Sequence, residues 1–305
     1  TDTKKTMKNI GLIGAGIMGS TAAEKIIEAG HTLSVFDTYK PSAAQVGNLG
    51  ATIASSPAEV AQQSEVILMF LPGPPVIEDV VAGPEGLLSN LSAGSVIVDM
   101  STTAPESTKK MSALAALKDV GYLDAPVLGR PASIGKWALP VGGDPQHLEK
   151  CQELLQLLAT NVMHIGESGT GNKVKLLNQL MFGAINAMTA EMMAISQQVG
   201  ISPELLYNTI TASQAGTVSN LFKELGKNIS EENYGTPTFS VDLLCKDVNL
   251  ATQLARDNGA SPILGNSIEA VNKIAQDQGY GKMDTSIMWK CFDSVWKDQP
   301  SNPTP

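Results

Sequence analysis

The run Gly11-Leu12-Ile13-Gly14-Ala15-Gly16-Ile17-Met18-Gly19 constrains this chain more than any other stretch, because of what surrounds it. A bare Gly-x-Gly-x-x-Gly recurs in many Gly-rich loops. Here Asn9 to Ile13 reads as a short apolar strand that feeds Gly14. Beyond Gly19, Ser20 to Ala29 carries no Pro or Gly and keeps apolar residues at helical spacing. A second strand, Thr32 to Phe36, ends in Asp37, 23 positions after Gly14. Strand, glycine turn, helix, strand and acid in this order are the pattern of a dinucleotide-binding unit. Gly14 suits the tight turn, Gly16 lets backbone approach a pyrophosphate, and Gly19 allows close packing of helix on strand. The helix start at Ile17 and Met18 would present N–H groups to phosphate oxygens. The alternative is a tight turn between strand and helix with no ligand; Asp37 favours the dinucleotide.

The rest of the chain is organised in two halves. Strands are expected at Ala51 to Ala54, Glu65 to Leu71, Ser95 to Asp99, Gly121 to Asp124 and Leu139 to Val141. Helical pieces fall between them, near Pro41 to Asn48, after Ser56-Pro57, and after Ser101-Thr102-Thr103-Ala104-Pro105-Glu106. Alternation of this kind implies a doubly wound parallel sheet, with ligands beyond the carboxyl ends of its strands. Gly14, Asp37, Pro72, Ser101 and Ala125-Pro126 all fall at such ends. After Gly166 to Gly171 the character changes. Asn172 to Val199 lacks Pro and reads as one helix of about 42 Å, buried over most of its circumference. Pro203 to Ala212, Leu221 to Lys227, Val241 to Asp257, Pro262 to Asp277 and Thr285 to Lys297 also read as helical. The expectation is an α/β fold. A Rossmann doubly wound sheet over residues 8–168 is followed by a long connecting helix (172–199) and an all-helical domain, together 169–298.

Composition narrows the partners. The 305 residues hold 21 Lys and Arg against 30 Asp and Glu, a net charge of −9, with no basic run. Nucleic acid and anionic membranes are therefore poor partners. No apolar stretch reaches spanning length, and Thr1 to Lys8 lacks the apolar segment of a secretory signal. Three cysteines, Cys151, Cys245 and Cys291, and three scattered histidines show no metal-ligand spacing, so no metal is expected. Reduced thiols fit the cytoplasm. The tail Gln299 to Pro305 reads as frayed.

Lys175 lies in the first turns of the long helix, with Asn178 and Gln179 at i+3 and i+4 on one face. A Lys beside two amides makes a polar patch on an apolar helix where the two domains meet. The helix dipole would press its pKa downward, which suits proton transfer. A Lys that snorkels at a helix start is the other reading of the same spacing. Lys173 points elsewhere, to solvent.

Six motifs in register decide between these readings. They are Gly14-Ala15-Gly16-Ile17-Met18-Gly19, Phe70-Leu71-Pro72, Asp99-Met100-Ser101-Thr102, Asp124-Ala125-Pro126-Val127, Gly169 to Gln179 and Lys246-Asp247. In order and spacing, over about residues 8 to 295, the chain resembles the β-hydroxyacid dehydrogenases. The resemblance implies hydride transfer between a nicotinamide cofactor and a small 3-hydroxy acid or its semialdehyde, with Lys175 as acid–base. It also implies cofactor contacts from Leu71, Pro72, Thr102 and Lys246, and substrate contacts from Ser101, Asn178 and the loop after Val127. Two departures stand out. Gln179 replaces the family's usual second Asn, and the loop runs Val127-Leu128-Gly129-Arg130 where the family has Val-Ser-Gly-Gly. Backbone near Gly129 is expected to bind a carboxylate, Leu128 to form an apolar wall, and Arg130 to hold an anionic group with its planar fork. Asn178 and Gln179 are expected to orient the substrate. Asp37, placed for the ribose hydroxyls, favours NAD over NADP. A homodimer or homotetramer is expected. The resemblance would expect an imine reductase on the same scaffold to lack Lys175. A decarboxylating phosphogluconate enzyme would need a longer helical domain and His at position 178. Loss of Lys175 would have marked a catalytically silent nucleotide-binding module.

Overall fold

A computed structural model describes residues 9–213 and 219–292 of the chain, which divides into two compact units, Thr1–Lys175 and Leu176–Pro305. The first opens with β1 (Asn9–Ile13), α1 (Ile17–Glu28), β2 (Thr32–Phe36), α2 (Lys40–Gly47), β3 (Thr52–Ile53) and α3 (Pro57–Gln62). It continues with β4 (Val66–Met69), α4 (Pro74–Ala82), β5 (Val96–Asp99), α5 (Pro105–Ala116) and β6 (Gly121–Asp124). β7 (Trp137–Gly142), α6 (Pro145–Leu158) and β8 (Ala159–Gly166) complete the sheet. The strand order is β3-β2-β1-β4-β5-β6-β7-β8. β1, β4, β5 and β6 run parallel, with Met69 beside Asp99 and Asp99 beside Asp124. Apart from Asn9, the residues of these four strands are buried, as expected of a sheet covered on both faces. One apolar cluster on the sheet includes Ile10, Leu12, Leu68, Val98 and Leu123; the other includes Ile13, Ile67, Met69, Ile97 and Tyr122.

Several local expectations are met. Ser56 caps α3 by accepting from the Glu59 N–H at 3.2 Å, with Pro57 in the first turn. Others are corrected. The sheet is not parallel throughout, because β7 pairs antiparallel to β6 through Asp124 and Gly142. α4 starts at Pro74, so the Pro-Gly-Pro-Pro run closes a strand and opens a helix, where missing N–H groups cost nothing. α6 and β8 complete the sheet beyond the strands expected from sequence. α5 is capped by Ala104 without any side-chain bond, so Ser101 and Thr102 do not serve as its cap.

Helix α7 (Thr170–Gln198) begins in the first unit and continues into the second. The second unit then holds α8 (Pro203–Ala212), α9 (Asn220–Ser230), α10 (Val241–Asp257) and α11 (Ile263–Asp277). Its core includes Met193, Phe222, Leu244, Val248 and Ile268. The helix expected from Thr285 to Lys297 opens with a 3-10 turn, Thr285–Met288, and is α-helical over 289–292; positions beyond 292 lie outside the described residues, as do 1–8. α7 is buried or half-buried over most of its circumference, as expected, apart from one stripe. Leu177 and Met181 are each 62% exposed, and Met188 and Ile195 are exposed too. Their spacing, at or near multiples of 3.5, keeps them on one stripe of the helix.

Candidate active site

The first unit gathers the sequence-predicted residues at the carboxyl ends of β1, β2, β4, β5 and β6. Gly14, after β1, has φ +91°, and a side chain there would overlap the Phe70 carbonyl. A Cβ on Gly19 would overlap the Gly14 carbonyl, which explains why helix and loop can approach so closely. Gly16 is different. It is exposed, and a Cβ built on it meets no atom within 4 Å. The space its missing side chain leaves is open to a ligand, not filled by the protein. α1 has Gly16 as its cap, no side-chain bond to its first turn and no acidic residue there. Ile17 is exposed and Met18 half-buried at this start.

Asp37, after β2, is held by two backbone donors. Its Oδ2 accepts from Ala15 N–H and its Oδ1 from Tyr39 N–H, both at 2.7 Å. A carboxylate offers about four lone-pair directions, so this orientation still leaves acceptors for hydroxyl groups. An open helix start, a glycine with vacant space above it and an oriented acid fit a dinucleotide. Leu71, Pro72 and Thr102 lie after β4 and β5, half-buried, exposed and half-buried respectively. Ser101 is buried, and its Oγ accepts from Leu71 N–H at 2.8 Å while its own N–H donates to Asp99 Oδ1 at 3.0 Å. Its hydroxyl therefore shapes the Leu71 loop, a role that spacing alone does not suggest.

The strand exit after β6 carries the altered loop. Leu128 is half-buried and pairs with Ala138, its N–H donating at 2.9 Å and its carbonyl accepting at 3.1 Å. The Arg130 N–H donates to Ser133 Oγ, and its carbonyl accepts from Trp137 Nε1 at 2.8 Å. Of these three residues only Gly129 is exposed, and a Cβ there would strike Trp137. The bend is thus rigid, and its backbone donors at Leu128 and Arg130 are already used. Arg130 is half-buried.

Lys175 is half-buried, and its Nζ donates to the Val127 carbonyl at 2.8 Å. Lys173 is exposed, as expected. An ammonium has three donors, so holding one on Val127 does not prevent donation to a substrate oxygen. Behind it lies a polar cluster that motif reading did not assign. Asp124 is buried, and its Oδ1 and Oδ2 accept from the Gly169 and Asn172 N–H groups at 2.8 and 2.9 Å. Tyr122 donates to Asp99 Oδ2 at 2.9 Å. Burial pushes the Asp124 carboxyl up to about 6, against the pull of its backbone donors. Burial and the Asp99 carboxylate raise the Tyr122 phenol well above its ordinary value.

In the second unit, Asn178 is exposed, one turn beyond Lys175 on the same helix, and its amide donates to Gln179 Oε1 at 3.3 Å. Gln179 is buried, and its Nε2 donates to Asp247 Oδ2 at 2.7 Å. Its amide is committed to α10. The other oxygen of Asp247 lies 2.9 Å from Lys246 Nζ. Asp247 therefore joins Gln179 to Lys246, a link hidden in sequence by the 68 positions between the two helices' residues. Among the described residues no group of three or more His, Cys, Asp or Glu could hold a metal ion, and no helix is long and apolar enough to cross a membrane.

This fold and site define a nicotinamide-nucleotide-binding oxidoreductase. Residues 9–166 match the NAD binding domain of 6-phosphogluconate dehydrogenase, and residues 169–292 match the NAD-binding domain of NADP-dependent 3-hydroxyisobutyrate dehydrogenase. The chain belongs to the β-hydroxyacid dehydrogenase family. It is 32% identical to 2-(hydroxymethyl)glutarate dehydrogenase of Eubacterium barkeri, over 96% of this chain and 97% of that protein. NAD-dependent L-serine dehydrogenase of Pseudomonas aeruginosa is 30% identical, over 94% and 98%. A crystal structure of 3-hydroxyisobutyrate dehydrogenase from Salmonella typhimurium has a TM-score of 0.86 at 26% identity, covering 92% of this chain and 98% of that one.

Proposed function

We propose that this chain transfers hydride between a nicotinamide cofactor and a small 3-hydroxy acid or its semialdehyde, with Lys175 as general acid–base. The observation that carries the reading is the Lys175 ammonium, fixed 2.8 Å from the Val127 carbonyl at the same sheet edge as the glycine turn and Asp37. The cofactor supplies the hydride chemistry. Gly16 and the first turn of α1 would receive the pyrophosphate, with Leu71, Pro72, Thr102 and Lys246 as further contacts. Lys175 takes the hydroxyl proton on oxidation and returns it to the carbonyl oxygen on reduction. Asn178, exposed one turn on, is the amide placed to orient the substrate. Ser101 and Gln179, with their polar atoms engaged inside the protein, support the site from behind. Gly129 and Arg130 form the anion-recognising wall beside Leu128.

Asp37 supports NAD over NADP, because a fixed carboxylate accepts from ribose hydroxyls and repels a 2′-phosphate. The exposed Leu177, Met181 and Met188 stripe supports assembly as a homodimer or homotetramer. Burial pushes the thiols of Cys245 and Cys291 up to about 12 and 11, and the three buried cysteines form no disulfide among the described residues, which fits a reducing, cytoplasmic setting.

The test is a panel of L-serine, 3-hydroxyisobutyrate, 2-(hydroxymethyl)glutarate and 3-sulfolactaldehyde, each with NAD(H) and NADP(H). Turnover of at least one, with higher kcat/KM for NAD(H), is expected. Lys175→Met should lower kcat by about 10²–10⁴-fold while nucleotide still binds. Turnover by none, or near-normal kcat in Lys175→Met, would remove this reading.

A further inference from the structure

Lys175 needs more than its own side chain to be placed for proton transfer. Effective catalysis asks for reacting atoms within about half an ångström of their productive positions, and a misplacement of about 1 Å can cost roughly 100-fold. The residues that set this position are on β6 and its exit. Asp124 is the last residue of β6, and Val127 lies three residues further on. Asp124 accepts from the N–H groups of Gly169 and Asn172, which bracket the start of α7. Val127 accepts from the Lys175 ammonium. The same short segment therefore grips the helix at its start and at the end of the Lys175 side chain.

We infer that Asp124 is a positioning residue for Lys175, acting through the start of α7. The inference rests on the reading of Lys175 as the acid–base. Three further observations support it. The Asp124 carboxylate lies in a slot that glycines alone leave open: a Cβ on Gly142 would come to 2.5 Å from Oδ1, and one on Gly171 to 2.9 Å from Oδ2. Gly169 itself has φ +91°, so the turn that delivers its N–H to Asp124 suits glycine. Asn172, fully buried, ties the same helix turn to α5 by accepting from Thr103 N–H at 3.0 Å and donating to Thr108 Oγ1 at 3.4 Å. A carboxylate at a helix start satisfies orphan N–H groups and opposes the positive end of the dipole. Here it also sets the axial height and rotation of the helix that carries Lys175. Generic capping would be met by any Ser or Asp just ahead of the helix. A cap supplied from a neighbouring strand, 45 and 48 positions away, fixes the helix to that strand.

The test compares Asp124→Asn with wild type and with Lys175→Met, using the fastest substrate of the panel. Asn keeps the volume, but only one of its two terminal atoms can accept a hydrogen bond. The expected result is a 10–100-fold fall in kcat with KM for the nucleotide changed less than twofold, since the glycine turn and Asp37 make no bond to Asp124. If Asp124→Asn does not fold, Gly171→Ala is read by the same split, because it keeps the Asp124 side chain but its Cβ would come to 2.5 Å from the Pro140 carbonyl and 2.9 Å from Asp124 Oδ2, disturbing the grip of the carboxylate on the helix start. An unchanged kcat in the variant that folds, with Lys175→Met inactive, would overturn the positioning role and leave the catalytic one. A rise in nucleotide KM that matches the fall in kcat would mark a general structural defect and also overturn it. Full turnover in Lys175→Met would instead overturn the reading underneath.

Discussion

Two helices of the first unit begin in the same way and serve opposite ends. α1 and α7 each follow a strand, and each is preceded within three residues by a glycine at φ +91°, Gly14 and Gly169. At α1 the start is open. Gly16 has empty space where a Cβ would stand, and no side chain caps the first turn. At α7 the start is closed by the Asp124 carboxylate, which bonds two of its N–H groups. The physics of the two ends is the same: unsatisfied N–H groups and a positive dipole end attract an anion. At α1 the anion is left to a ligand, and at α7 the protein supplies its own. On the function proposed here, the open start would receive a phosphate and the closed start would hold Lys175 in place.

Exchanging the two states gives the largest effect. Gly16→Asp would place a carboxylate at the open start, as Asp124 stands at the closed one. Nucleotide Kd should rise by at least about tenfold, while the fold is kept because a Cβ there meets no atom. Unchanged affinity, measured by fluorescence titration with NADH, would show that the phosphates do not use this helix start.

A smaller effect separates the closed start from an ordinary cap. Burial raises the Asp124 carboxyl to about 6, above the ordinary value near 4 that it takes in the unfolded chain. A raised folded value means that protonation favours the folded state. The contribution is present in full below about pH 4 and is lost as pH rises through about 6, amounting to roughly 3 kcal/mol at most. The Tm advantage of wild type over Asp124→Asn should therefore shrink between pH 5 and pH 8. A difference that stays flat would mean that the closed start carries its charge at no desolvation cost.

The smallest effect concerns the loop beyond the closed start. Arg130→Ala should raise KM for an anionic substrate by about three- to tenfold and leave nucleotide affinity unchanged. An unchanged KM would turn Arg130 outward and leave anion recognition to the helix face at Asn178.

Local chemistry is legible in the sequence alone. β2, β6, α8 and α10 have the bounds that periodicity and turn residues implied, and Ser56 with Pro57 behind it opens α3 as the sequence implied. The roles of Gly14 and Gly19 were readable too, since backbone geometry leaves few other uses for glycine there. The antiparallel pairing of β7 was not, because a buried strand looks alike in either direction. Nor was α4, whose Pro-rich start hides a helix behind what reads as a loop. Ser101 and Gln179 were read as substrate contacts from their place in motifs. Their hydrogen bonds, to Leu71 and Asp247, span 30 and 68 positions.

The sequence by itself therefore determined the nucleotide unit, the long helix and the lysine on it, because each is written in residues within a few turns of one another. Tertiary structure alone decided which polar groups are left for chemistry. Whether Ser101, Gln179, Asn178 or Lys175 faces a ligand depends on which partners burial brings to it. A buried donor or acceptor takes a protein partner wherever the fold offers one, since leaving it unmet costs about 1–3 kcal/mol. Asp124 is the clearest case: its place at a strand end was visible, but its partners were chosen by the packing of α7 against β6.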